Sequence, residues 1–433
     1  MTYRYVLNSL WTLALLWGVG VCGTWADDVR YVGPLDSPAN DLRDQPLRDP
    51  VAQLMADLSA GRRQLQWEPQ RGYLLSLLRT LHVPVESQVL VFSKTSFQNT
   101  RITPASPRAI YFNDDVYVGY VPGGDVIELA SIDPVVGAIF RTLDQAPPSA
   151  SSIKFAVNGQ CLQCHQSMRT LNVPGLIVRS VLTHPQGFPI LSAPYFDVDH
   201  RTELANRWGG WYVTGTTGSQ THMGNQTIPL DQPPETFNPA RGSNLVDLTD
   251  RFDTQPYLTP HSDVAALMVL EHQTRFHNIV TVAAWETRQA LMLHQAAHGP
   301  DAPLTDAALA RIDRAAEAVV RYLLMADEVL LTDPIVGTSG FANVYAEQGP
   351  RDEQGRSLRQ LRLDRTLFAY PCSPMIYSPS LWQLPPPIRD RIVHRINDLL
   401  IGRASDHSFH LSKSGRIAAL EILRATLPDW PRE

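Results

Sequence analysis

Residues 161–165 read Cys-Leu-Gln-Cys-His, two thiols three positions apart with an imidazole directly after the second. Thiols at this spacing can bond the two vinyl groups on one edge of a porphyrin, and the adjoining histidine then reaches the metal from one face. The pattern specifies one covalently attached haem c, with Cys161 and Cys164 as tethers and His165 as an axial ligand. Half of a zinc site and a thiol redox pair share the spacing. Zinc would need further thiolate or imidazole ligands close by, and the next cysteine, Cys372, lies far along the chain. A thiol redox pair would want a βαβ setting, which the flanking sequence does not offer.

Haem iron has a second axial position, and its occupant separates electron carriage from ligand chemistry. Met223 is the first candidate, because it sits in the Gly-rich polar stretch Thr214–Asn225, where a large apolar side chain has no evident core to join. His222 is the second. His200, His272, His277, Met268 and an open position follow. Met168 is too close to His165 in sequence to pass round the porphyrin edge. Further on, Glu271, Thr274, Arg275 and Asn278 continue an apolar helical stripe begun by Val264, Leu267 and Met268, so charge stands where core is expected. Glu271 and Arg275 have the spacing of an i,i+4 ion pair, and Arg179 and Arg207 are candidate partners for haem carboxylates. With its distal face open, Arg275 and His272 or His277 could polarise an iron-bound ligand.

The start of the chain agrees with attached haem, which is made outside the bacterial cytoplasm. Residues 1–26 hold a single charge, Arg4, then an apolar run from Leu10 to Cys22 and small residues up to Ala26, the pattern of a cleaved secretory signal. The expected location is periplasmic or otherwise exported, with no stable membrane span once the signal is removed. The 433-residue chain has a formal charge of −6 and only three lysines, Lys94, Lys154 and Lys413, so it is a poor partner for nucleic acid. A lysine-ringed docking face for a redox partner cannot be built from it. H-E-x-x-H, G-x-S-x-G and phosphate-loop signatures are missing.

Through residues 161–165 the chain resembles the c-type cytochromes. Arg207-Trp-Gly-Gly-Trp-Tyr-Val-Thr-Gly215, His222-Met-Gly-Asn225 and Glu271-His-Gln-Thr-Arg-Phe-His-Asn278 resemble segments of bacterial exported proteins known only to contain a cytochrome c domain, a likeness that implies no particular activity.

The elements around the motif are not those of a small all-helical cytochrome. Helical spacing marks residues 51–81 as two helices, and short β-branched and aromatic runs at 88–92, 109–112, 116–121, 126–132 and 138–143 predict an antiparallel sheet. Further strands are expected at 176–182, 188–191 and 211–213, and a long loop at 226–260. Thr259-Pro260 is expected to open a helix reaching about Ala297, followed by helices at 306–325, 387–401 and 414–426. The expected class is α+β: a strand-rich, haem-bearing region 27–250 and a mainly helical region 251–433 packed on it. The expected function is an exported monohaem cytochrome in electron transfer with a redox partner protein, the alternative being a haem c enzyme, peroxidase-like or oxidising a small substrate.

Overall fold

Alternation of β-branched and aromatic residues produces a sheet buried on both faces. Its central strands are β1 (Val89–Val91), β2 (Arg108–Phe112), β3 (Val116–Tyr120), β4 (Val126–Asp133) and β5 (Gly137–Asp144). The computed structural model describes residues 38–40, 42, 45–148, 153–157, 159–404, 409 and 411–432. The signal segment 1–26 and Cys22 lie outside the described residues.

β6 (Phe155–Val157) and β9 (Trp211–Tyr212) complete an antiparallel seven-stranded sheet of order β6-β5-β4-β3-β2-β1-β9. Its turns are set by short polar side chains: Asn113 Oδ1 accepts from the amides of Asp115 and Val116, and Asp133 Oδ1 accepts from those of Val135 and Val136. A separate ribbon pairs β7 (Arg179–Val181) with β8 (Tyr195–Asp197).

One sheet face carries Leu90, Tyr111, Val118, Leu129 and Leu143 and packs on α1 (Pro50–Ser59) and α2 (Leu74–Thr80). The other face carries Val91, Phe112, Ala130, Ile132 and Phe140 and packs on the start of α4 (Val264–His298), which follows the single-turn α3 (Leu162–His165). Beyond this contact α4 enters a helical core with α5 (Asp306–Leu323), α8 (Pro386–Ile401) and α9 (Lys413–Thr426). The short α6 (Phe341–Glu347) and α7 (Pro379–Trp382) lie between α5 and α8 in sequence. The α+β class, with strands in the first half and helices in the second, is as expected. Among the described residues, no helix is long and apolar enough to cross a membrane.

Two expectations fail, each for an identifiable reason. α4 begins at Val264, not after Thr259-Pro260, because Thr214 bridges the extended backbone of Ser262 and Val264 and holds it out of the helix. Asp263 then caps α4, its carboxylate accepting from the Ala265 and Ala266 amides and, from the other side, those of Thr338 and Ser339. Residues 188–191 do not form a strand: Pro189 lacks an N–H, Gly187 turns the chain at φ +88°, and only a single bridge to Thr183 survives.

Candidate functional site

The Cys-Leu-Gln-Cys-His segment follows directly from the sheet edge. β6 pairs with β5 through Arg141↔Val157, Thr142↔Ala156 and Leu143↔Phe155, and a 3-10 turn, Gly159–Cys161, delivers the chain into α3. Helical winding at i and i+3 places Cys161 and Cys164 on one side of this turn. Neither thiol forms a disulfide; Cys161, like Leu162, is half-buried against the sheet-face core, while Cys164 is exposed. Burial and the Glu128 carboxylate push the Cys161 thiol up, the opposite of the activation a thiolate redox pair requires.

His165 is held in one orientation. Its Nδ1 lies 2.8 Å from the Gly175 carbonyl, and the Gly175 amide donates back to the His165 carbonyl at 2.8 Å. A carbonyl can only accept, so Nδ1 carries the proton and Nε2 presents its lone pair. This is the arrangement in which metal-bound histidines are found, the second ring nitrogen tied to a backbone carbonyl. The ring packs against Phe140 at a centroid distance of 4.7 Å, and burial lowers its pKa, which keeps the imidazole neutral.

Charged groups flank the motif on two sides. On the sheet, Arg108 of β2 and Glu128 of β4 form a 2.6 Å ion pair whose charges act on both Cys161 and His165. Gly119 of β3 pairs with Glu128, and a Cβ there would lie 3.3 Å from Glu128 Cβ and 3.6 Å from Arg108 Cδ, so its missing side chain keeps this part of the sheet face low. At the ribbon, Arg179 of β7 and Arg169 of the 3-10 turn Met168–Thr170 share Asp197 at 4.0 and 3.0 Å and lie over the Tyr195 ring at 5.6 and 4.5 Å. Arg179 is within electrostatic reach of the Cys164 sulfur, and its Nε is buried without a hydrogen-bond partner. Near these groups in sequence are exposed apolar side chains, Val157 (69%), Met168 (84%) and Tyr195 (53%). Thiols, an imidazole with Nε2 free, exposed apolar side chains and the unpartnered Arg179 Nε are groups that fit a haem with its two carboxylates.

The candidates for the sixth position are placed elsewhere in the core. Met223 is buried with Leu182, Ile190, Ala193 and Ile228, and its sulfur accepts from Ser180 Oγ at 3.4 Å. Ser180 and Arg179 are successive residues of β7 and point to opposite faces, so Met223 lies across the ribbon from the Arg179 guanidinium. His222 Nδ1 accepts from the Gly224 amide, and its ring meets the Trp208 indole edge-on. His200 and His272 share a hydrogen bond through their Nδ1 atoms at 2.9 Å, and His272 Nε2 reaches Ser373 Oγ at 2.7 Å. His277 Nε2 donates to the Asp114 carbonyl. Met268 is buried against the sheet.

Glu271 does not pair with Arg275. It binds Arg207, both side chains being almost fully buried, and accepts from Trp208 Nε1 at 3.0 Å. Burial pushes the Glu271 carboxyl up to about 7, while Arg207 and the indole N–H pull it down. Arg275 instead lies 3.9 Å from Asp199 and donates to the Arg169 carbonyl at 3.3 Å. No local pattern marked Gly175, Phe140 or the Arg108–Glu128 pair as neighbours of the motif, since each meets it through long-range packing.

The described residues hold no group of three or more His, Cys, Asp or Glu side chains placed to ligate an ion. No protein-family profile matches the chain, and no curated protein or solved structure is significantly similar to it.

Proposed function

We propose that this is an exported c-type cytochrome with one covalent haem, acting in electron transfer with a redox partner protein. The observation that carries the reading is the His165 ring, fixed through Nδ1 by the Gly175 carbonyl so that Nε2 is the free nitrogen, on the same turn as two unbonded thiols. When bound, the haem supplies a one-electron iron couple. The chain contributes Cys161 and Cys164 as thioether tethers, His165 as the proximal ligand, and Arg169 and Arg179 as counter-charges for carboxylates. Met223 is the proposed distal ligand, a role that requires its sulfur to exchange Ser180 for iron.

A second reading is favoured by one observation: Met223 is engaged by Ser180 on the far face of the ribbon. A sixth position left open would make the protein a haem c enzyme, peroxidase-like or acting on a small substrate.

The purified protein should keep a haem stain on a denaturing gel and lose it in the Cys161→Ala, Cys164→Ala double variant; an unaltered stain refutes covalent attachment. Carbon monoxide separates the two readings. A reduced haem that ignores it, with an oxidised charge-transfer band that Met223→Ala removes, supports the carrier. Rapid carbon monoxide binding supports the enzyme.

A further inference from the structure

The polar residues of α4 include one whose position bears on His165 from a distance. Asn278 is 1% exposed, and its amide clamps a single backbone unit: Oδ1 accepts from the Leu176 amide at 2.9 Å, and Nδ2 donates to the Leu176 carbonyl at 2.7 Å. The preceding residue, Gly175, supplies both hydrogen bonds that hold His165. A Cβ on Gly175 would lie 2.3 Å from Asn278 Oδ1 and 3.2 Å from Thr170 Cβ, so the close approach of helix and loop depends on glycine here. One turn before Asn278, Arg275 donates to the Arg169 carbonyl, so α4 holds the loop after the Cys-Leu-Gln-Cys-His segment at two points. Thr170 ties the loop internally, accepting from the Ser167 amide at 3.0 Å and donating to the Val173 carbonyl at 2.8 Å.

We infer that Asn278 is the positioning residue for His165: by fixing the Leu176 backbone it aims the Gly175 carbonyl at Nδ1, and so sets the ring's tautomer and orientation. Its consequence for iron rests on the reading of His165 as a haem ligand; its geometry does not. Donation from Nδ1 makes an imidazole more electron-rich, and an iron ligated by it favours the ferric state. Asn278 thus acts on a haem it does not touch. A purely structural asparagine would affect stability alone.

The test compares Asn278→Ala and the apolar, size-conserving Asn278→Leu with Thr287→Ala, which removes a buried hydroxyl bonded to the Ala283 carbonyl elsewhere on α4. Two readouts are taken on the full chain: solvent exchange of the His165 Nδ1 proton by NMR, and the haem midpoint potential. Both Asn278 variants should speed exchange by about tenfold or more, the effect of losing buried hydrogen bonds that close the loop. Both should raise the midpoint potential, and Thr287→Ala should change neither. Unchanged exchange in a folded Asn278 variant overturns the inference, and so does an equal change in Thr287→Ala. Should one variant fail to fold, the other supplies the result. The exchange readout needs no iron, so a wild-type protein without haem stain defeats the proposed function while the exchange rates still decide the role of Asn278.

Discussion

Replacing Glu271 by alanine should be among the most damaging single changes in the chain. The carboxylate is fully buried, and two donors depend on it, the Arg207 guanidinium and Trp208 Nε1. Without it Arg207 keeps only the carbonyls of Thr202 at 2.7 Å and His200 at 3.2 Å, a buried cation facing dipoles. Breaking a buried pair from one side costs about 3–5 kcal/mol, because the remaining charge stays desolvated. Leaving a buried indole N–H unsatisfied costs about 1–3 kcal/mol taken alone. The two overlap, so a loss of about 4 kcal/mol or more is expected, against a total stability on the order of 5–15 kcal/mol. The double variant Arg207→Met, Glu271→Leu removes both charges and refills the volume, and should lie within about 2 kcal/mol of wild type. Urea unfolding of wild type, Arg207→Met, Glu271→Leu and the double variant yields the coupling energy, expected to be about 2 kcal/mol or larger. Losses that add to within about 0.5 kcal/mol would show that the pair is not the unit described.

Asp49 should behave in a related way, since it accepts two hydrogen bonds from the buried Arg141 guanidinium at 2.8 Å, another from Ser131 Oγ at 2.6 Å, and caps α1. Asp49→Ala is expected to cost about 3–5 kcal/mol in urea unfolding, and a loss below about 1 kcal/mol would refute the pairing argument. For His277, burial lowers the pKa to about 4 although the Asp114 carbonyl and charge oppose this. Its folded pKa lies below the unfolded value of about 6.5, so the unfolded chain binds the proton first and stability falls as pH drops from about 6.5 towards 4. Between pH 7 and pH 5 the wild type should lose about 2 kcal/mol more than His277→Gln, and equal losses would count against a neutral buried ring. Gly209→Ala would bring a Cβ within 2.9 Å of the Val181 backbone, forcing β7 away from its hydrogen bond to the Gly209 carbonyl. A cost of about 1–3 kcal/mol in thermal or urea unfolding is expected, and one under about 0.5 kcal/mol would mean the ribbon yields freely.

Much of the secondary structure was legible because its causes are local. The runs at 109–112, 116–121, 126–132 and 138–143 became β2 to β5 with ends moved by a residue or so, and the helices expected at 306–325, 387–401 and 414–426 became α5, α8 and α9. Local reasoning failed where a distant residue intervened, as Thr214 does in delaying α4, and where a breaker inside the run was passed over, as Pro189 with Gly187 breaks an expected strand. The polar stripe on α4 was visible in the sequence as an anomaly, but its partners were not, since Arg207 rather than Arg275 meets Glu271.

By itself the sequence determined the covalent chemistry on offer, two thiols and an imidazole within five residues, because that depends only on spacing along the chain. Tertiary structure decided what surrounds it. The carbonyl that orients His165, the helix that fixes that carbonyl and the hydroxyl that holds Met223 all arrive from separate segments. They meet because the sheet order carries the motif to the β5–β6 edge while α4 packs on the sheet face that Phe140 shares, a juxtaposition that no local pattern encodes.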